Sequence, residues 1–285
     1  MCHHRRASRC RGWLLLWAVL CTPALAKPIV LAPTLAGRFR DGAGVDAQFL
    51  KVQDSWRGSG VLYDPVTDQL GVGQPIGSFR GGAGLWGLVD WRTAYDQPTA
   101  GMIETRWTGR AAQVAFGDDV FNVVHGGIWG EVPLAPLFGP DGAAASQENW
   151  TARFYGYIRI AEAGLYNFGV LHDDGFFFDL HGAAGQQASL SNDFLNPPNR
   201  MGFAEGLQLD AGLYAFELGS YERLEAGVVE LSWMRDGGAW SRVPTDHLVA
   251  VDDVATVPEP ASGLLLAGGL LALAATRRSP RARGP

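Results

Sequence analysis

The chain has 285 residues with 23 Lys and Arg against 29 Asp and Glu, and its net charge of −6 argues against a basic nucleic-acid-binding surface. Its three cysteines, Cys2, Cys10 and Cys21, all lie near the start, so the body can hold no disulfide. Neither H-E-x-x-H, G-x-S-x-G nor G-x-x-x-x-G-K occurs, which removes common signatures of zinc proteolysis, serine hydrolysis and phosphate binding.

Residues 1–26 read as a secretory signal peptide. Arg5, Arg6, Arg9 and Arg11 precede the apolar run Trp13–Leu20, and Ala24-Leu25-Ala26 offers a small-x-small cleavage site, carried by Ala24 and Ala26. Val19 and Leu20 ahead of Cys21 speak against a lipoprotein signal, which needs a small residue immediately before the cysteine. Four more arginines close the chain. Without both ends, 15 basic residues face 29 acidic ones, a balance near −14 that suits a soluble exterior protein and is compatible with calcium.

Residues 27–84 carry scattered short apolar runs, such as Phe49–Val52 and Gly60–Tyr63, among many Gly and Asp, and are expected to form an N-terminal β-rich extension. Within them DGAGVDAQF, Asp41–Phe49, half-matches a calcium β-roll repeat, but such repeats work only when stacked, and a single copy reads as a turn. The aromatic run Leu85–Trp91 marks the expected start of the main domain, 85–249. Residues 110–147 are read as an insertion, 250–256 as a linker, and Asp118-Asp119 as a hairpin turn.

The body reads as all-β. In Ala152–Ile160, Phe154, Gly156, Ile158 and Ile160 fall on one face and Arg153, Tyr155, Tyr157 and Arg159 on the other, the alternation of a strand with one side buried. After Ala161–Gly164, Leu165–Leu171 repeats it with Tyr166, Phe168 and Val170, so the two read as a hairpin. Leu213–Gly219 and Val228–Met234 show the same period. Many short strands with polar turns indicate a sandwich or barrel.

Between these strands lies Asp173-Asp174-Gly175, whose two adjacent carboxylates could face one hard cation or simply shape a turn. His172 beside it reads as an exposed strand-end histidine, and Asp179 as structural. Of the eight tryptophans outside the signal peptide, Trp107, Trp150 and Trp233 fall in strand patterns and read as core. Trp86, Trp91, Trp129 and Trp240 sit nearer turns and are candidates for an exposed platform under a sugar ring.

Residues 149–249 resemble the PA-14 family of β-sandwich domains, related to flocculin and GLEYA adhesin domains. The matching pieces stand in family order: WTARFYGYIRIAEAGLYNFGVLHDDG from Trp150, FDLHG from Phe178, LQLDAGLYAFELGSYE from Leu207, VVELSWMRDGG from Val228 and VPTDHL from Val243. MIETRWTG from Met102 looks like an added strand. The resemblance implies a β-sandwich or jelly-roll barrel and glycan recognition. In the lectin members, a cis peptide lets the two aspartates, here Asp173 and Asp174, bind one calcium ion, whose coordination a sugar's hydroxyls complete. A second loop supplies further ligands, for which Asn192, Asp193 and Asn196, or Glu222 and Glu225, are the candidates here.

The tail Val257–Pro285 combines VPEP (Val257, Pro258, Glu259, Pro260), an apolar run Ala261–Thr276 and a basic stop at Arg277 and Arg278. At ~1.5 Å per residue that run spans roughly 24 Å as a helix, marginal for a bilayer core of ~30 Å. Layout and motif resemble the PEP-CTERM signal, which implies transient membrane anchoring, cutting by an exosortase and release to the surface or exopolysaccharide matrix. A plain uncut anchor is the alternative. The whole reads as an exported, non-enzymatic glycan-binding protein. Its first rival is a purely structural matrix component, and its second a polysaccharide hydrolase, for which no pair of carboxylates at fixed separation is identifiable.

Overall fold

The computed structural model describes residues 27–57, 61–64, 69–72, 83–121, 132–133, 147–193, 195 and 197–254. The signal peptide, its cleavage site at Ala24 and Ala26, the sorting tail with Val257, Pro258, Glu259, Pro260, Arg277 and Arg278, and also Trp129 and Asn196, lie outside the described residues. Among the described residues no helix is long and apolar enough to cross a membrane.

In chain order the strands are β1 (Ile29–Leu31), β2 (Leu35–Ala36), β3 (Val45–Val52), β4 (Val61–Asp64), β5 (Gln69–Val72), β6 (Ile103–Ala111), β7 (Ala115–Gly117), β8 (Val132–Pro133) and β9 (Trp150–Ile160). There follow β10 (Gly164–Asp173), β11 (Gly175–His181), β12 (Gln187–Asn192), β13 (Asn199–Gly202), β14 (Leu207–Leu209), β15 (Gly212–Glu222), β16 (Val228–Arg235), β17 (Ser241–Arg242) and β18 (Leu248–Val249). One helix, α1 (Leu88–Asp96), precedes β6. The first sheet runs β1-β14-β10-β16-β7-β8, with β13 also on β10 and β17 on β16. The second runs β12-β11-β15-β9-β3-β6, with β18 on β9 and β2 on β15, and β4 and β5 pair separately.

The two large sheets bury facing apolar sides in one core, as a sandwich does. Phe49 and Phe154 from the second sheet meet Phe116 from the first at ring separations of 5.0 and 5.7 Å, and Phe168 meets Phe178 at 5.7 Å. A smaller cluster lies on the second sheet's outer face. There α1 presses Leu88, Trp91 and Ala94 against Tyr221, Leu50 and Val52. These helical residues recur at threes, which the sequence reading passed over in favour of the aromatic run.

The predicted hairpin is not one. β9 pairs with β15 and β3 in the second sheet, whereas β10 pairs with β14, β13 and β16 in the first. Alternation reports which face of a strand is buried, not which strand lies beside it. In a sandwich both sheets present the same pattern to a shared core. Nor does the N-terminal segment stand apart, since β3 is hydrogen-bonded between β9 and β6, and β1 and β2 extend both sheets. Residues 251–253, read as linker, are tied back by the Val251 amide donating to Asp46 and by an Arg110–Asp253 ion pair. The 110–147 segment opens on the last two residues of β6 and contains β7, which pairs with β16 inside the first sheet.

Gly156, mid-way along β9, has φ +144°, and a Cβ there would come within 2.6 Å of the Val249 carbonyl oxygen on β18. Gly156→Ala is expected to destabilise the protein by about 1–3 kcal/mol, the usual cost of overpacking, through displacement of β18. Denaturant melts would read this as a lower midpoint with unchanged slope. An unaltered midpoint would mean that β18 is not held there.

Candidate functional site

The chain crosses from one sheet to the other twice at the same end of the sandwich. β10 ends at Asp173, Asp174 makes the corner through a cis peptide, and β11 starts at Gly175 in the opposite sheet. β15 ends at Glu222, and residues 223–227 return the chain to β16. The register brings these corners together, with Gly175 opposite Tyr221 and Asp173 opposite Val228. β7 arrives beside them, Gly117 opposite Val228, and delivers Asp118.

Four acidic side chains are thereby removed from water. Asp118 and Glu222 are fully buried, and Asp173 and Asp174 are 5 % and 6 % exposed. Asp118 is held by backbone donors, Phe121 N–H to Oδ1 at 2.7 Å and Gly227 N–H to Oδ2 at 2.5 Å. Asp174 Oδ2 accepts from Arg223 N–H at 3.0 Å, while its own N–H donates to the Tyr221 carbonyl at 3.0 Å. The Asp173 and Asp174 carboxyls lie beside one another at this corner, and each raises the cost of ionising its neighbour. Both oxygens of Glu222 are buried without a hydrogen-bond partner among the described residues.

Burial, and then mutual repulsion, pushes Asp118, Asp173 and Glu222 toward their neutral forms. Burial raises Asp173 far above the usual carboxylate range, and the charges of Asp174, Asp118 and Glu225 add to it. Burial likewise raises Glu222, with Asp174, Asp118 and Asp173 behind it. Asp118 is pushed up to about 7 by burial, against the opposing pull of its two backbone donors. The nearby cation is Arg223, whose guanidinium lies 3.8 Å above the Trp86 ring.

Asp173, Asp174, Arg223 and Glu225 line a cavity of about 340 Å³ whose other walls are apolar, including Leu195, Pro197, Pro198 and Leu224. Asn192 and Asp193 are not among its walls. Asn192 ends β12 opposite Phe176, and Asp193 Oδ1 accepts from the Leu88 amide at 2.7 Å and the Tyr221 hydroxyl at 3.3 Å, which anchors the start of α1. Among the described residues no three Asp, Glu, His or Cys side chains are assembled as a ready-made metal site, so any ion here must draw other oxygens too.

Several expectations change. His172 is buried, not exposed. Its Nδ1 donates to the Asp174 carbonyl at 2.6 Å, its ring lies 4.3 Å from Phe176, and burial lowers its pKa. Asp118 belongs to the buried corner and not to a hairpin turn, because its carboxylate caps two inward backbone amides. Trp86 and Trp91 are 3 % exposed and cannot form an open platform. The sequence held a usable signal for both Glu222 and His172. The period-two series Tyr214, Phe216, Leu218 continues inward to Ser220 and Glu222, and Tyr166, Phe168, Val170 to His172.

Outside the described residues, positions 256–279 match the PEP-CTERM protein-sorting motif. The chain carries an exosortase sorting tail. Such a motif indicates export and membrane-anchored sorting to the cell surface. No curated protein matches the sequence. Among solved structures, the chain is similar to the PA14 domain of the MpAFP antifreeze protein, with 16% identity and TM-score 0.42 over 73% of this chain and 92% of that one. It is similar to a PA14 sugar-binding domain from an RTX adhesin, with 18% identity and TM-score 0.39 over 72% and 99%. It is also similar to the Epithelial Adhesin 6 A domain from Candida glabrata in complex with Galb1-3GlcNAc, with 12% identity and TM-score 0.48 over 82% and 100%. The sandwich itself is defined by the strand pairing above.

The raised carboxyls set a pH dependence. An acid whose folded pKa lies above its unfolded value stabilises the fold fully below the unfolded pKa, and that stabilisation is lost as pH rises through the folded one. With a chelator present, the melting temperature is expected to fall from about pH 4 through about pH 7, the Asp118 value. A melting temperature that rises across this window would mean the carboxyls are solvated or paired with cations.

Proposed function

We propose that this is an exported cell-surface or matrix protein that binds glycan in the cavity beside Asp173 and Asp174, with calcium as the cation of that corner. The observation that carries the reading is the convergence of Asp118, Asp173, Asp174 and Glu222 in a buried corner where Glu222 has no hydrogen-bond partner among the described residues. A carboxylate in low dielectric is tolerated only when protonated or matched by positive charge, and both its oxygens suit a hard divalent cation. Asp173 and Asp174 would hold the ion, and Glu222 and Asp118 would supply negative field behind it. Calcium in this position would offer open coordination sites to vicinal sugar hydroxyls at the cavity mouth. Leu195, Pro197, Pro198 and Leu224 would then lie against the sugar's C–H faces.

The reading is of a binding protein and not an enzyme. Exosortase is the processing partner, and a glycan of the surface or matrix is the ligand. The competing structural role, a matrix component that contacts only protein, predicts no response to calcium. Calcium at 100 times its dissociation constant stabilises by about 2.7 kcal/mol, which for a domain of this size moves the melting temperature by several degrees. The wild-type protein at pH 7.5 is expected to show that rise and to bind members of a galactose- and mannose-terminated glycan array in calcium but not in EDTA. An Asp173→Ala, Asp174→Ala double variant should do neither. Equal melting temperatures with calcium and with EDTA would exclude the calcium-dependent reading and leave the structural role.

A further inference from the structure

A second concave site lies on the outer face of the second sheet, roofed at one side by α1. Two successive outward rows of side chains cross four strands there. In the first, Tyr155 on β9 stands opposite Glu217 on β15, Glu217 opposite Asp179 on β11, and Asp179 opposite Ser189 on β12. In the second, Arg153 stands opposite Gly219, Gly219 opposite Phe177, and Phe177 opposite Ser191. The two rows share a face because residues two apart along a strand point the same way.

Gly219 gives the cleft its depth. A Cβ there would lie 2.7 Å from Trp91 Cζ2 and would also strike the Phe177 ring, so only glycine lets α1 and Phe177 close over the sheet at this point. Trp91 Nε1 donates to the Ala152 carbonyl at 3.0 Å, which fixes the helix against β9. The resulting cavity of about 360 Å³ is lined by Trp91 and Phe177 together with Arg92 and Asp96 of α1. That volume falls within the ~300–1,000 Å³ of small-ligand sites.

The charges of this cleft are unevenly matched. Arg153 Nε pairs with Glu217 Oε1 at 2.8 Å, and the guanidinium lies 5.5 to 6.0 Å from the rings of Tyr155, Tyr95 and Trp91. Its charge is therefore already engaged. Asp179 faces Glu217 directly across the strands, a like-charge pairing that destabilises a sheet, and it has no ion-pair partner among the described residues. Arg92, on α1, is exposed and likewise without an ion pair among them. Two serine hydroxyls on the edge strand β12 complete the polar lining, with both rows open at Ser189 and Ser191.

We propose that this cleft is a saccharide-binding site separate from the Asp173–Asp174 corner, taking a neutral, hydroxyl-rich unit. Asp179 accepts from ligand hydroxyls, Arg92 donates to ligand oxygens, and the serines do both. The half-buried Phe177 ring borders the cleft, where a sugar's C–H face would lie, and Trp91 backs it from beneath α1. The close balance of two arginines against Asp96, Asp179 and Glu217 favours a neutral ligand over an anionic one. No metal enters this arrangement, so the cleft functions in EDTA.

The test titrates cellobiose, lactose and mannobiose, with glucosamine as a cationic and glucuronate as an anionic comparison, into the full chain in EDTA, followed by calorimetry and tryptophan fluorescence. At least one neutral disaccharide is expected to bind, with equal affinity in the Asp173→Ala, Asp174→Ala variant. Asp179→Ala and Arg92→Ala should each weaken it by tenfold or more without lowering the melting temperature, since one removes a like-charge contact and the other an exposed side chain. Failure of all three disaccharides to bind at millimolar concentration would overturn the proposal. So would binding confined to glucosamine or glucuronate, or binding lost with the Asp173–Asp174 pair and indifferent to Asp179→Ala. The calcium response of the corner is measured separately, so either site can fail alone.

Discussion

Carboxyl groups of Asp118, Asp173, Asp174 and Glu222 share a small volume from which water is largely withdrawn. Like charges repel strongly in a medium from which water is withdrawn, so these carboxyls resist being ionised together without matching cations. Protonation offers one solution, and the raised pKa of Asp173 beside Asp174 is in keeping with it. A divalent cation offers the other. The two states differ in charge, in pH response and in what the cavity above can bind, so the chemistry of the corner turns on which one prevails.

The fold creates this corner by routing the chain. Both β10 to β11 and β15 to β16 change sheets at one end of the sandwich, and β7 ends there as well, so residues distant in sequence become neighbours. The backbone donors of Phe121, Gly227 and Arg223 fix Asp118 and Asp174. Gly227 is needed for closeness, since a Cβ there would lie 2.8 Å from Asp118 Oδ2 and would also meet the Glu222 side chain. On the outer face of the second sheet Gly219 has the same use for α1. Neither recess would exist with ordinary side chains at these two positions.

Much of this was legible in the sequence, and the part that was not has identifiable causes. Period-two alternation marked β9, β10, β15 and β16 and their buried faces, and Asp173-Asp174-Gly175 stood out as the chemical corner. Partner choice is illegible, because both sheets of a sandwich present the same alternation to one core, and so the sequence of β9 and β10 reads like a hairpin. The place of β3 within the second sheet is not legible in the sequence of the N-terminal extension, since its pairing with β9 crosses about a hundred residues. Acidic residues default to solvent in any sequence reading. Asp118 was hidden by that default, although the inward parity of β15 pointed at Glu222. Helix α1 was masked by its aromatic content, and Asp193, expected at the ion, anchors that helix instead.

The central claim is that the buried carboxyl corner takes a calcium ion, and the most direct measurement is a count. Equilibrium dialysis of the purified protein against radioactive calcium at pH 7.5 is predicted to give one tightly held ion per chain. Occupancy should be sharply reduced at pH 5, where the raised carboxyls keep their protons, and absent after Glu222→Gln combined with Asp173→Ala. Occupancy no higher than that of the substituted protein at pH 7.5 would contradict the account and leave the corner as a protonated structural element.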